Sequence, residues 1–110
     1  MQNGAGFGHQ TVHIELMTSI GVSETDAAEA REVLGTIMEE TAVRVAHAQM
    51  TLAMLAGHAV SKPALVSMRV YFDGHTIDTC AAARSMRDAI GQAGEELRIS
   101  LRHEASKAGI

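Results

Sequence analysis

The sequence has few aromatic residues, one proline, one cysteine and no tryptophan. Aromatic residues make up 3% of a chain that is 46% hydrophobic, so aliphatic side chains, alanine and methionine must build the core. A single cysteine, Cys80, excludes an internal disulfide framework, and its place at the end of a predicted strand indicates a buried, inert thiol. No apolar run approaches the roughly 20 residues of a membrane span, and no secretory signal is visible. We therefore expect a cytoplasmic protein with no membrane partner.

The chain also lacks an excess of basic residues, because its net charge at pH 7 is −4. The charges are unevenly distributed, however. Residues 1–41 carry a net −6, with Arg31 as their one base, whereas residues 42–110 carry +2. A negative total argues against nucleic-acid binding, but the asymmetry leaves room for a local basic surface.

No motif of an enzyme or a metal site stands out. The sequence shows no Ser-His-Asp or paired-carboxylate constellation, and the histidines do not recur at ligand spacing on a predicted helix. Gly4, Gly6 and Gly8 do not complete the dinucleotide-binding fingerprint, because position 9 is histidine. We predict a protein that is not an enzyme and that holds neither a cofactor nor a metal ion.

Hydrophobic periodicity predicts one α+β domain. Residues 11–17 and 48–55 alternate in the manner of half-buried strands. Between them, Ser23 begins an amphipathic helix that should end between Glu40 and Arg44. We assign residues 1–10 to a flexible leader and residues 11–108 to the single domain.

A hairpin follows in the second half of the chain. Residues 64–72 alternate like a strand, Asp73-Gly74 suits a type I′ turn, and residues 75–80 form the return strand. Two helices should therefore cover one face of a four-stranded mixed sheet, in a two-layer β-α-β-β-β-α domain. In the strand 64–72, the face that should meet the helices carries Val66, Met68, Val70 and Phe72.

The last predicted helix, residues 81–108, carries four arginines on one side. At 100° per residue, these residues fall within about 60° of arc. A guanidinium group can donate two parallel hydrogen bonds to phosphate, so the pattern predicts contact with RNA. The alternative is a solvated helix face that also carries Asp88 and Glu95. We call the four residues the arginine arc: Arg84, Arg87, Arg98 and Arg102.

Two glycines, Gly91 and Gly94, lie on the same arc. Each costs a helix about 1 kcal/mol relative to alanine. We interpret them as positions that let a backbone approach closely, and the alternative is tight packing of the helix against the sheet. Thr79, which precedes this helix by a few residues, falls on its predicted apolar face.

Several local motifs resemble the ribosome hibernation-promoting factor family. They are Val12-His-Ile-Glu-Leu16, Gly21-Val-Ser-Glu-Thr-Asp26, the hairpin Met68-Arg-Val-Tyr-Phe-Asp-Gly-His-Thr-Ile77, and Cys80-Ala-Ala-Ala-Arg-Ser-Met-Arg-Asp-Ala-Ile90. The resemblance covers residues 11–107 and is nearer to actinobacterial members. It implies the N-terminal ribosome-binding β-α-β-β-β-α domain of that family.

The resemblance also implies a function. Such a domain binds the small ribosomal subunit and its rRNA between head and body, near the mRNA and tRNA decoding sites, and inhibits translation in stasis. Two possibilities stay open: the protein forms a homodimer, or it lacks the C-terminal dimerisation domain of longer family members. By position, the rRNA-binding residues would be Arg84, Arg87, Arg98, Arg102 and Lys107, with Arg31 and Arg44 as weaker candidates.

A different class of function stays open beside this one. A domain of the same fold could bind a protein, or act as a regulatory domain, without binding RNA. Its contact surface would then be the open face of the sheet, at Leu65, Arg69 and Tyr71, or the acidic first helix.

Overall fold

The computed structural model describes residues 12–57 and 59–107. It confirms the predicted α+β order, whereas the predicted leader, residues 1–10, lies outside the described residues, as do both ends of the predicted domain. None of the helices in the described part of the chain is long and apolar enough to cross a membrane. The elements are β1 (His13–Thr18), α1 (Glu24–Glu40), β2 (His47–Met54), β3 (Ala64–Phe72), β4 (His75–Ala83) and α2 (Met86–Lys107).

The four strands form one mixed sheet in the order β1-β2-β3-β4. The outer strand β1 runs parallel to β2, because α1 connects them, while β2, β3 and β4 form an antiparallel meander. At the β3–β4 turn, Asp73 and Gly74 have φ angles of 46° and 76°. Positive φ at both residues is what a type I′ turn requires, so the predicted hairpin is confirmed.

Both helices pack on the same face of the sheet. Every second residue of β3 is buried beneath them, including the four residues predicted to face the helices. The opposite face of the sheet has no covering layer among the described residues. The largest fully buried side chains are Leu34, Ile37, Met50, Leu52, Val66, Met68, Val70, Ile90, Leu97 and Leu101.

The boundary between β4 and α2 differs from the predicted one. β4 continues to Ala83, which pairs with Ala64 of β3, and α2 begins only at Met86. Ser85 caps the helix: its Oγ accepts a hydrogen bond of 3.1 Å from the backbone N–H of Asp88. The alanines before Arg84 are compatible with a helix or a strand, and they form a strand because they pair with β3. The predicted helical start at residue 81 is therefore wrong.

Two neighbouring residues near this boundary point to opposite faces of the sheet. Thr79 belongs to β4 and is buried, and its hydroxyl donates a 3.3 Å hydrogen bond to the carbonyl oxygen of Ala93 on α2. Cys80 is exposed, because it follows Thr79 in the strand alternation and points away from the helices beside Ser67. The prediction of a buried thiol is therefore wrong.

Candidate nucleic-acid interface

Helix α2 carries three members of the arginine arc on one side. Arg87, Arg98 and Arg102 lie within about 60° of each other around the axis and span about 22 Å along it. Arg84 is not on the helix, because it lies in the link between β4 and α2, where it is exposed. The arc therefore consists of three helical arginines, which we call the α2 arginines, with Arg84 just before the first turn.

Arg98 is held by two carboxylates. Its Nε donates a 2.9 Å hydrogen bond to Glu40 at the end of α1, and its Nη1 donates a 3.0 Å hydrogen bond to Glu95 on α2. The hydrogen bond that Arg98 donates to Glu40 is the main reason why the pKa of Arg98 is raised above its ordinary value. The Arg98 side chain is only 27% exposed, so this charge is partly covered.

The other basic residues of this region are more open. Arg87 Nε lies 3.6 Å from Glu29 Oε2 on α1, but its side chain is 81% exposed. Arg84 and Arg102 are exposed, and no ion pair between described residues involves either of them. The region thus has two arginines with internal acidic partners and two without.

The three remaining candidates do not join the α2 arginines. Lys107 lies about 180° around α2 from Arg98 and pairs with Glu104 at 3.5 Å. Arg31 lies about 180° around α1 from Glu40, on the flank away from α2. Arg44 is exposed in the segment between α1 and β2. An interface centred on the arginine side of α2 therefore reaches Arg31 or Lys107 only if the ligand wraps around the helices.

The two glycines of the arc differ in their surroundings. A Cβ atom added to the buried Gly94 would lie 2.9 Å from Cγ1 of Val33 and 3.5 Å from Cδ1 of Ile37, both on α1. Gly91 is exposed, and an added Cβ would meet nothing within 4 Å. Close approach at Gly94 is therefore an approach of α1 to α2, while Gly91 faces open space.

The seam between the two helices contains two grooves. The larger one, about 670 Å³, lies near the end of α1, with Ile37 and Leu101 among its apolar lining residues. The smaller one, about 400 Å³, lies over Gly91 and Gly94. Arg98 and Glu95 line both grooves, so the ion pairs of Arg98 form the divide between them.

The open face of the sheet carries a polar network at one end. Gln49 donates a 2.9 Å hydrogen bond to Glu15 and accepts one of 3.1 Å from the Tyr71 hydroxyl. The amide of Gln49 is the main reason why the pKa of Glu15 is lowered. Arg69 forms an ion pair with Asp78 on the neighbouring strand. Two residues of the alternative protein-binding surface, Arg69 and Tyr71, are thus engaged within the sheet.

A row of rings beside this network was missed by sequence reasoning. The His13 and His47 rings stack with centroids 5.3 Å apart, and Tyr71 lies 5.4 Å from His47 on the next strand. The strand register would have revealed this row, because it places His13 of β1 directly beside His47 of β2. Among residues 12–57 and 59–107, no three His, Cys, Asp or Glu side chains are grouped so that they could hold a metal ion.

The other end of the sheet exposes large apolar side chains. Ile20 is 97% exposed in the loop after β1, and Leu55, just after β2, is 46% exposed. Met17 and Leu65, which belong to the open face, are 62% and 36% exposed. These four residues lie toward the end of the sheet where β1 and β2 finish and β3 begins.

Comparisons with solved structures find the same fold in a ribosomal subunit interface protein and in the N-terminal domain of Protein Y. No protein-family model matches the sequence, and no curated protein matches it. A ribosomal subunit interface protein from Coxiella burnetii superposes with a TM-score of 0.65 at 15% sequence identity, over 86% of this chain and 99% of that chain. The N-terminal domain of Thermus thermophilus Protein Y also gives a TM-score of 0.65, at 13% identity, over 86% of this chain and 98% of that chain. At these identities the likeness establishes the fold, which is consistent with the family resemblance that the motifs indicate.

Proposed function

We propose that this domain binds the small ribosomal subunit through rRNA phosphates, near the sites of mRNA and tRNA decoding, and inhibits translation in stasis. It acts by occupying space on the subunit in the cytoplasm, with no catalytic step and no cofactor. The observation that carries the proposal is the placement of Arg87, Arg98 and Arg102 along one side of α2, in a fold shared with a ribosomal subunit interface protein.

The charge distribution supports α2 as the element that meets RNA. Arg84 and Arg102 are exposed and have no acidic partner among the described residues, so their guanidinium groups are open to bidentate contacts with phosphate. Helix α1 is acidic from its first turn, so it repels phosphate. We infer that α2 lies against the rRNA while α1 lies away from it or against a basic ribosomal protein.

Sedimentation with vacant small subunits tests the proposal. We expect the protein to co-sediment at low salt and to dissociate steeply as the salt concentration rises, because each phosphate contact releases bound counterions. Co-sedimentation that does not respond to salt would exclude phosphate contacts as the basis of binding.

Charge-reversal variants locate the contact. Substituting all four residues of the arginine arc by glutamate should abolish co-sedimentation. Arg102→Glu should weaken it, whereas Lys62→Glu should not, although each changes the net charge equally and both side chains are exposed. If the fourfold variant still co-sediments like the unmodified protein, the arginine arc is a solvated helix face.

A second candidate function is supported by the exposed apolar residues at one end of the sheet. Met17, Ile20, Leu55 and Leu65 together could bury apolar surface against a protein partner. This reading predicts binding to a protein that does not weaken with salt, and no affinity for ribosomal subunits.

A further inference from the structure

The acidic residues of α1 are not spread evenly with respect to α2. Glu29 and Glu40, which are eleven positions apart in the sequence and lie on the same flank of α1, are the two acids of this helix that reach α2 arginines. Glu40 contacts Arg98 at 2.9 Å and Glu29 contacts Arg87 at 3.6 Å. Glu24 and Glu39 are exposed on the same helix and take part in no ion pair between described residues.

These contacts occupy the groups that phosphate would use. A guanidinium can give its Nε and Nη donors to a carboxylate or to a phosphate in the same fork geometry. Arg98 gives Nε to Glu40 and Nη1 to Glu95. A phosphate that takes the fork of Arg98 containing Nε must therefore displace Glu40, whereas a phosphate that binds Arg102 displaces no acidic partner among the described residues.

We propose that Glu29 and Glu40 are internal competitors of phosphate that set the RNA affinity of α2. The inference rests on the proposed function and adds a way in which the RNA affinity is regulated. It divides the basic residues into two classes: Arg84 and Arg102 contact RNA without an acidic competitor among the described residues, whereas Arg87 and Arg98 contact it in competition with a carboxylate. The acidic first helix thereby keeps binding weak and readily reversible.

The size of the effect follows from the exposure of the pairs. Exposed ion pairs contribute little, so release of each arginine should tighten binding by about threefold, and release of both by about tenfold. Each released arginine should also steepen the salt dependence, because its contact with a phosphate releases a counterion from the RNA. The slope of log K against log salt should change by up to about 0.7 for each additional contact with a single strand.

The test compares two double variants of the whole protein. Glu29→Gln with Glu40→Gln removes the competing charges, keeps the side-chain lengths, and leaves at position 40 an amide oxygen that can still accept the hydrogen bond from Arg98. Glu24→Gln with Glu39→Gln removes the same charge from the same helix without touching an arginine. Binding of each variant to a single-stranded uridine oligonucleotide and to vacant small subunits is measured over a series of salt concentrations, and thermal unfolding checks that both fold.

We expect about tenfold tighter binding and a steeper salt slope for the first variant, and less than about twofold change for the second. Arg98→Gln should cost less affinity than Arg102→Gln in the unmodified protein, and the difference should become smaller once Glu40 is glutamine, because only Glu95 then competes at Arg98. Equal gains in the two double variants, or none in the first while the protein still binds subunits, would overturn this inference alone. If no variant binds either probe at low salt, the proposed function is wrong and the inference falls with it.

Discussion

Because Gly94 has no side chain, α1 can approach α2 closely at the candidate interface. Because Val33 is β-branched and has one preferred rotamer in a helix, it cannot easily move away from a Cβ at 2.9 Å. We predict that Gly94→Ala lowers the free energy of unfolding by about 1 kcal/mol, because overpacking outweighs the gain in helix propensity. Gly91→Ala, which adds the same methyl group in open space, should raise it by about 0.5–1 kcal/mol. Urea unfolding of both variants checks this, and equal changes would contradict the close helix contact.

The Glu15 carboxylate gives a second prediction at the residue scale. Its pKa lies below the ordinary 4.5, mainly because the Gln49 amide donates to it. A depressed pKa in the folded protein means that this contribution to stability is present above the unfolded pKa and is lost as the pH falls through the folded pKa. We predict that Gln49→Leu raises the pKa of Glu15, and that the stability difference between variant and unmodified protein becomes smaller in acid, where the contribution of Glu15 is lost.

An NMR titration of the Glu15 side chain measures this pKa directly. Tyr71→Phe is the matched control, because it removes the other hydrogen bond of Gln49 and leaves the one to Glu15 in place. A Glu15 pKa that stays low in Gln49→Leu would show that the neighbouring histidines, His47 and His13, determine it instead.

At the scale of elements, the start of α2 depends on one cap. Ser85 accepts the Asp88 N–H through its side chain and the Ala89 N–H through its carbonyl oxygen, both at 3.1 Å. We predict that Ser85→Ala lowers the free energy of unfolding by about 1 kcal/mol and that Ser85→Asp restores it. A helix that ran unbroken from residue 81 would have Ser85 in its interior, where alanine is the better residue. A stabilising Ser85→Ala would therefore contradict the observed boundary.

The same boundary shows what sequence reasoning could and could not predict. The β3 strand and its turn were predictable, because the alternation from Val66 to Phe72 and the Asp73-Gly74 pair are local signals. The end of β4 was not, because its alanines carry no local preference and their state depends on pairing with β3.

The candidate site, too, was only partly predictable from the sequence. The side of α2 that carries Arg87, Arg98 and Arg102 followed from helical periodicity alone. Their partners, Glu29 and Glu40, did not, because these contacts join residues far apart in the chain. The contact of Gly94 with Val33 depends in the same way on how the two helices pack.

At the scale of the whole molecule, the helical layer and the open face of the sheet suit different kinds of partner. The helical layer presents the α2 arginines along a seam that also holds acidic residues. The sheet face presents polar groups that pair with each other at one end and apolar side chains at the other. A ligand rich in phosphate suits the first face, and a protein suits the apolar end of the second.

This division predicts which face meets the ribosome. We expect Leu65→Ser with Met17→Ser, which makes the apolar end of the sheet polar, to leave co-sedimentation with small subunits unchanged, because neither side chain lies on the helical layer. Met17 is 62% and Leu65 is 36% exposed, so the two substitutions together should cost about 1–2 kcal/mol of stability, and thermal unfolding checks that the variant folds. Arg84→Gln with Arg102→Gln, equally exposed substitutions on the other side of the domain, should weaken co-sedimentation and flatten its salt dependence. The reverse pattern, with subunits lost only in the sheet variant, would assign ribosome contact to the sheet and leave the α2 arginines as solvated charges.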